Sequence, residues 1–374
     1  PLAPRLADTV LTIWKDYPGA TAGRPARWSY EQGVVLKGME RAWKQTGDAR
    51  YLNYIRQAMD LYVADDGTIR TYRREEYNLD NIQLGRMLLF LYGNTKQEKY
   101  RKAADLLREQ LRKHPRTSEG GFWHKQIYPF QMWLDGLYMA EPFYAEYAAT
   151  FREDADFDDI AKQFILIERH TRDDQTGLLY HGWDESKQQR WADPTTGRSP
   201  NFWGRAMGWY GMALVDTLDY FPRTHPQRAE LIAILKRFAA AVARYQDANT
   251  GLWYQVVDRA GAKGNYFESS AAAMFVYALA KGVHQNYLPA SYLNVAEKGY
   301  RGILQQFVET KPNGLVDYKG TVSVAGLGGN PYRDGSYDYY LSEKVVTNDP
   351  KGFGACLIAV TEMEKGGRPD KPRR

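Results

Sequence analysis

The chain has 374 residues, 44% of them hydrophobic, and a formal net charge of +5, which is mild for this length. The densest basic stretch is the short tail RPDKPRR at 368–374, so the charge pattern argues against a nucleic-acid partner. A single cysteine, Cys356, excludes an internal disulfide and a cysteine metal cluster; the six histidines lack HExxH spacing, and no apolar run reaches membrane-spanning length.

Aromatic residues make up 14% of the chain, with 28 Tyr and 10 Trp, which serves either helix packing or the stacking of rings on sugars. The slight positive balance weakly favours an anionic substrate. A start at Pro1 reads as a bacterial protein trimmed of an export signal, in the periplasm or the cytoplasm.

In chain order, two kinds of helical segment alternate. Segments with few charges and many Gly, Ala and aromatic residues begin at Tyr30 (YEQGVVLKGMERAWKQTG), Tyr77 (YNLDNIQLGRMLLFLYGNT), Tyr128 (YPFQMWLDGLYMAEPFYAEYA), Asn201 (NFWGRAMGWYGMALVDTLDYF), Phe267 (FESSAAAMFVYALAKGVHQ) and Asp349 (DPKGFGACLIAVTEMEK). A helix that is apolar nearly all round is buried. Between them run amphipathic segments with a charged face, among them EKYRKAADLLREQLRKH from Glu98 and RAELIAILKRFAAAVARYQ from Arg228. A turn glycine followed by alternating bulky residues recurs at Gly67, Gly121, Gly177, Gly251 and Gly314, spaced roughly 54 to 74 residues apart. That spacing holds two helices per repeat. The expected fold is all-α: an (α/α)6 barrel of six helical hairpins with short β-strands in the loops, formed by one catalytic domain over 1–374. An open solenoid is the alternative.

Polar residues at the starts of the inner helices are the candidates for a site. These are Tyr30, Asp80, Trp203, Arg205 and Trp209, with His124, Lys125 and His181 on the strands before the helices. Asp80 also suits a helix N-cap, Glu268 and Ser269 read as a cap, and the histidines could be satisfied strand residues. Arg205 and Trp209 share a helical face at i, i+4, which suits either a bidentate grip on a sugar carboxylate or an internal ion pair. Asp135 stands in FQMWLDGLYMAEPF, read as a helix over 130–143, past its first turn, where capping does not explain it. Burial among Met132, Trp133 and Tyr138 would raise its pKa, as a general acid requires. The stretch VAGLGGNPYRDGSYDYYLSE, from Val324, lacks the phosphate-loop pattern and reads as a flap over a pocket, with Tyr332 and Arg333 on it.

Four segments, QMWLDGLYMAEPFYAEYA, WGRAMGWYGMALVD, YFESSAAAMFVYALAKGV and GLGGNPYRDGSYDYYLSEKVVTNDPKGFGACLIA, together resemble the unsaturated rhamnogalacturonyl hydrolases, glycoside hydrolase family 105. The likeness runs from about Tyr30 to about Val360; the related unsaturated glucuronyl hydrolases of family 88 are the nearest competitor. The resemblance implies the same barrel. It also implies hydration of the vinyl ether of a 4,5-unsaturated uronic acid at the non-reducing end of a lyase-generated acidic oligosaccharide, without metal or organic cofactor. It makes Asp135 the acid/base. It makes Tyr30, Asp80, His124, Lys125, His181, Trp203, Arg205 and Trp209 pocket residues, and Tyr332 and Arg333 part of a closing loop. Rhamnogalacturonan, ulvan and arabinogalactan fragments all fit the implied substrate. Two other readings stand beside it: a non-catalytic glycan-binding barrel, and an inverting glycosidase or lyase on the same fold, in which Asp80 would be the second carboxylate.

Overall fold

The computed structural model describes residues 1–365, so the basic tail from Arg368 lies outside the described residues. Among the described residues there are thirteen α-helices and six short strands. The helices are α1 (Leu2–Ile13), α2 (Tyr30–Thr46), α3 (Ala49–Asp60), α4 (Gly85–Thr95), α5 (Glu98–Lys113), α6 (Leu134–Phe151), α7 (Asp156–Thr171), α8 (Gly204–Thr217), α9 (Arg228–Arg244), α10 (Ser269–His284), α11 (Ser291–Gln306), α12 (Tyr337–Ser342) and α13 (Pro350–Met363). No helix among the described residues is long and apolar enough to cross a membrane.

Helices α2, α4, α6, α8, α10 and α13 pack side by side, each on the next, and α13 returns to α2 to close the ring. The other long helices lie outside: α3, α5, α7, α9 and α11 each pack against the ring, and α1 covers α2 and α13. This is the (α/α)6 barrel that the alternation of segments predicts. The inner helices are buried on all sides; in α8 every residue from Gly204 to Thr217 is buried. Closure depends on a close approach of α13 to α2. A Cβ on Gly354 would stand 2.7 Å from the backbone nitrogen of Val35, nearer than real Cβ contacts come, so only glycine fits there.

Helix starts are set locally. Ser29 caps α2, Asp48 caps α3, and Asp349 caps α13 with Pro350 in the first turn. Glu268 caps α10 by accepting from the N–H groups of Ser270 and Ala271, the role read from the sequence. The repeated glycine turns connect outer helices to short bridges. Gly67, Gly177, Gly251 and Gly314 have positive φ, but in the second repeat the left-handed residue is Gly120 (φ +96°), one before the expected Gly121. Gly121 serves packing instead: a Cβ there would meet Met132 Sδ at 2.3 Å.

The strands pair as short antiparallel ribbons: β1 (Gln131–Trp133) with β2 (Gly182–Asp184), β3 (Val308–Thr310) with β4 (Val316–Tyr318), and β5 (Thr321–Val322) with β6 (Val345–Val346). The first ribbon matters most for the site.

Candidate active site

A patchwork of main-chain ladders gathers the polar residues. Asn78 bridges Lys125, the His124 N–H donates to the Gln131 carbonyl at 2.7 Å, and β1 pairs with β2 in the register Trp133 to Gly182. Leu134 N–H then donates to the His181 carbonyl at 3.0 Å. Three stretches far apart in sequence thus bring Asp80, then His124, Lys125 and Asp135, and His181 to the N-terminal ends of the inner helices.

Strand β1 takes residues 131–133, so α6 starts later than the apolar pattern indicates and Asp135 is its second residue, inside the first turn rather than past it. It does not cap: Trp133 holds the N-cap position, with no side-chain cap bond. The Asp135 side chain keeps 12% of its surface accessible, and its Oδ2 lies 3.0 Å from His181 Nε2, without hydrogen-bond alignment. His181 is fully buried, and its Nδ1 lies 2.7 Å from Tyr340 Oη. Burial, then the charges of Tyr339 and Asp135, push the Tyr340 hydroxyl well above its ordinary range, so it stays protonated.

Asp80 is not the cap that its position suggested. Asn78 caps the 3-10 turn over Leu79–Asn81 by accepting from the Asp80 N–H at 2.9 Å. That frees the Asp80 carboxylate to meet Lys125 Nζ at 2.8 Å and His124 Nε2 at 3.5 Å. Burial works against the Asp80 charge, but Lys125 and then His124 outweigh it and hold the carboxyl below its usual range. Burial pushes His124 down to about 4, against the pull of Asp80, so the imidazole is neutral at neutral pH and Lys125 is the balancing cation. His124 stacks on Trp133 at 4.5 Å and Tyr128 stacks on the same indole at 4.8 Å, while His181 meets it edge-on at 5.4 Å.

From the sequence, Arg205 reads as either a grip on a sugar carboxylate or half of an internal ion pair. It is buried, and its guanidinium is spent on protein: Nε donates to Ser270 Oγ at 2.8 Å, Nη1 to the Ser323 carbonyl at 3.3 Å and Nη2 to the Val322 carbonyl. Glu268 Oε1 lies 3.7 Å away. The internal ion pair, the other reading of this residue, is what the structure shows. Trp203 is a buried wall whose Nε1 donates to Gln255 Oε1 at 3.0 Å. Trp209 stacks on Tyr138 at 4.8 Å and meets half-buried Tyr30 edge-on at 6.2 Å. Tyr332 and Arg333 dock the 324–336 loop. Tyr332 Oη accepts from the Trp191 N–H at 3.0 Å, and Arg333 Nη2 donates to Tyr128 Oη at 2.9 Å.

Tyr30 and Asp80 line an open cleft of about 640 Å³ whose far wall is the segment from Trp14 to Arg27. Beneath the site the ring is plugged by a buried cluster. Asp216 accepts from Arg86 Nη1 at 2.9 Å, Tyr277 Oη at 2.6 Å and Lys281 Nζ at 2.7 Å. Among the described residues no group of three or more His, Cys, Asp or Glu is placed to hold a metal ion.

Sequence reading missed Tyr340, Tyr128 and the cleft wall. The wall carries a signal, a long Pro- and Gly-containing stretch (DYPGATAGRPARWS) before the first inner helix, and such loops are often functional. Nothing in the spacing distinguishes Tyr340 from its tyrosine neighbours.

This ring, with its carboxylates beside an open cleft, has the architecture of the (α/α)6-barrel glycoside hydrolases, and comparison with known proteins agrees. The family model described as Glycosyl Hydrolase Family 88 matches residues 5–366. A solved family 105 glycoside hydrolase from C. acetobutylicum superposes with a TM-score of 0.93 at 46% identity, covering 97% of this chain and 99% of that one. Protein Atu3128 of Agrobacterium fabrum is 41% identical over 230 residues, 60% of this chain and 97% of its own length. The unsaturated rhamnogalacturonyl hydrolase YesR of Bacillus subtilis is 29% identical over 258 residues, 67% of this chain and 70% of its own. The chain belongs to glycosyl hydrolase family 88, on the side of the family 105 enzymes, and is a glycoside hydrolase.

Proposed function

We propose that the protein removes a 4,5-unsaturated uronic acid from the non-reducing end of lyase-generated acidic oligosaccharides, by hydrating its vinyl ether. The observation that carries this reading is the inequality of the two carboxylates. Asp80 is tied to Lys125 and held as an anion, whereas Asp135 faces no Lys or Arg within ion-pair distance and keeps part of its surface open. A site with one committed and one available carboxylate suits single-residue acid/base chemistry better than a pair acting across an anomeric carbon.

In this reaction the Asp135 carboxyl donates its proton to C4. The C4–C5 π electrons form the new C–H bond, and the positive charge left at C5 is shared with the ring oxygen. Water adds at C5 and returns a proton to Asp135, so the acid is regenerated. The hemiketal opens at its ring C5–O bond to a C5 ketone, and the hemiacetal left at C1 releases the remaining sugar as an alcohol. The net change is addition of one water.

Tyr30, His124 and Lys125 meet the unsaturated ring from the cleft side. Trp203, Arg205 and Trp209 form the wall behind it, and Tyr332 and Arg333 fix the covering loop. His181 Nε2, 3.0 Å from Asp135 Oδ2, is the group that would orient the carboxyl once the ring enters. Rhamnogalacturonan fragments are the first substrate to try, because the B. subtilis relative carries that name. The test is loss of the ultraviolet absorbance of the conjugated double bond on adding the protein. If the absorbance stays unchanged on unsaturated oligosaccharides of every source tried, the reading is wrong.

A further inference from the structure

The cleft continues past Tyr30 into a region that the chemistry at Asp135 does not use. Its charged lining residues are Arg24, Arg27, Glu31, Glu76 and Asp80. Each of the three acids faces a neighbouring cation: Glu31 meets Lys351 at 2.8 Å, which Asp349 shares at 3.1 Å, Glu76 meets Arg73 at 3.0 Å and Asp80 meets Lys125 at 2.8 Å. The two arginines have no acidic partner among the described residues. Only their main chains are tied down: Tyr17 Oη donates to the Arg24 carbonyl at 3.4 Å and Gln32 Nε2 to the Arg27 carbonyl at 2.9 Å. Arg24 and Arg27 therefore leave the cleft's outer end with a net positive charge, on a held backbone with free side-chain heads. Arg24 and Arg27 are exposed, whereas buried Arg86 is matched by Asp216 and buried Arg108 by Glu153 and Asp156.

Arg27 is three residues from Tyr30, at most about 10 Å along the backbone. That puts its guanidinium within a short oligosaccharide's reach of the ring that Tyr30 contacts. Half-buried Tyr17, on the same wall, offers an aromatic face beside the pair.

We propose that Arg24 and Arg27 form a subsite for a second anionic group, a carboxylate or sulfate ester, on the part of the oligosaccharide that is released. The proposal rests on the unsaturated-uronide reading and extends it: the preferred substrate carries negative charge on a second sugar. Guanidinium forks match both anions bidentately.

The test compares three unsaturated oligosaccharides: one with a second uronate, the same compound with that carboxyl reduced to an alcohol, and one with a sulfate ester on a released sugar. The expected result is a KM about tenfold lower for an anionic substrate than for the reduced one, the weight of two partly solvated ion pairs. The kcat stays similar, and the advantage shrinks as salt is raised. The Arg24→Ala/Arg27→Ala double variant should lose the advantage while turning over the reduced substrate as before. Whichever anion gives the larger gain names the group. Equal KM values for all three substrates, or a double variant that still discriminates, would overturn the subsite. Calorimetric binding of the same compounds to Asp135→Asn separates this proposal from the reaction itself. Anion-dependent binding lost in the triple variant upholds the subsite even if no substrate is turned over; anion-independent binding rejects it.

Discussion

At the scale of single residues, the account turns on a short relay from Tyr340 to His181 to Asp135. Tyr340 Oη can donate to His181 Nδ1, which places the imidazole proton on Nε2, facing an Asp135 carboxylate. It can equally accept from an Nδ1 proton, which leaves Nε2 as acceptor for a protonated Asp135. One hydroxyl thus serves both proton states that a residue acting first as acid and then as base must adopt. Asp135→Asn should lower kcat by about 10³-fold, within the range for removal of a general acid, with an unchanged melting temperature. Tyr340→Phe should keep KM within a few-fold while shifting the alkaline limb of the pH–kcat profile, where the acid must keep its proton; a loss of stability with the profile unmoved would mark Tyr340 as packing only. The importance of Asp135 was legible because a carboxylate in an apolar segment is conspicuous. The link from His181 to Tyr340 was not, since the two lie 159 residues apart and only the folded ring joins them.

At the scale of elements, the alternation of small-residue and charged helices was readable in full, because burial on all sides and burial on one face leave different composition. The ends of elements were less so. The apolar run from Phe130 conceals a change from strand to helix at Leu134, since hydrophobic residues satisfy both. Arg205 illustrates a further ambiguity: its face was legible, but not whether substrate or protein would occupy its fork. It ties the start of α8 to the capping residue of α10 and to β5. Arg205→Ala should therefore destabilise the fold by about 3–5 kcal/mol, as expected when one member of a buried pair is left alone. Urea denaturation followed by circular dichroism checks this; an unchanged midpoint with weakened substrate binding would restore the ligand-gripping role.

At the scale of the whole molecule, the ring is closed by contact between helices far apart in the chain. Gly354→Ala forces a methyl against the α2 backbone, which cannot swing aside as a side chain can. Its expected cost is about 1–3 kcal/mol of stability, read from the chemical denaturation midpoint. The pH response of the whole fold follows from its buried groups. Burial lowers His114 to about 4, although its bond to the Trp123 carbonyl opposes this, and lowers His124 to about 4 as well. For a histidine with a depressed folded pKa, the unfolded chain takes up the proton first as pH falls. Stability should therefore decline between about pH 6.5 and pH 4. Glu40 acts at lower pH. Burial works against its charge, but Lys37 and Lys44 hold the carboxyl down to about 2, so its stabilising contribution is lost only as pH falls from the ordinary carboxylate range towards 2. A denaturation midpoint that stayed flat from pH 7 to pH 4 would contradict the neutral burial of the two histidines.

The most direct test of the central claim follows the absorbance of the conjugated double bond when lyase-generated rhamnogalacturonan or ulvan oligosaccharides are mixed with the wild-type protein and with Asp135→Asn. The account predicts that the wild type bleaches the absorbance and releases a shortened saturated sugar, while folded Asp135→Asn does both about 10³-fold more slowly. Bleaching by the variant at the wild-type rate, or release of sugar by the wild type with the absorbance intact, would contradict hydration by Asp135.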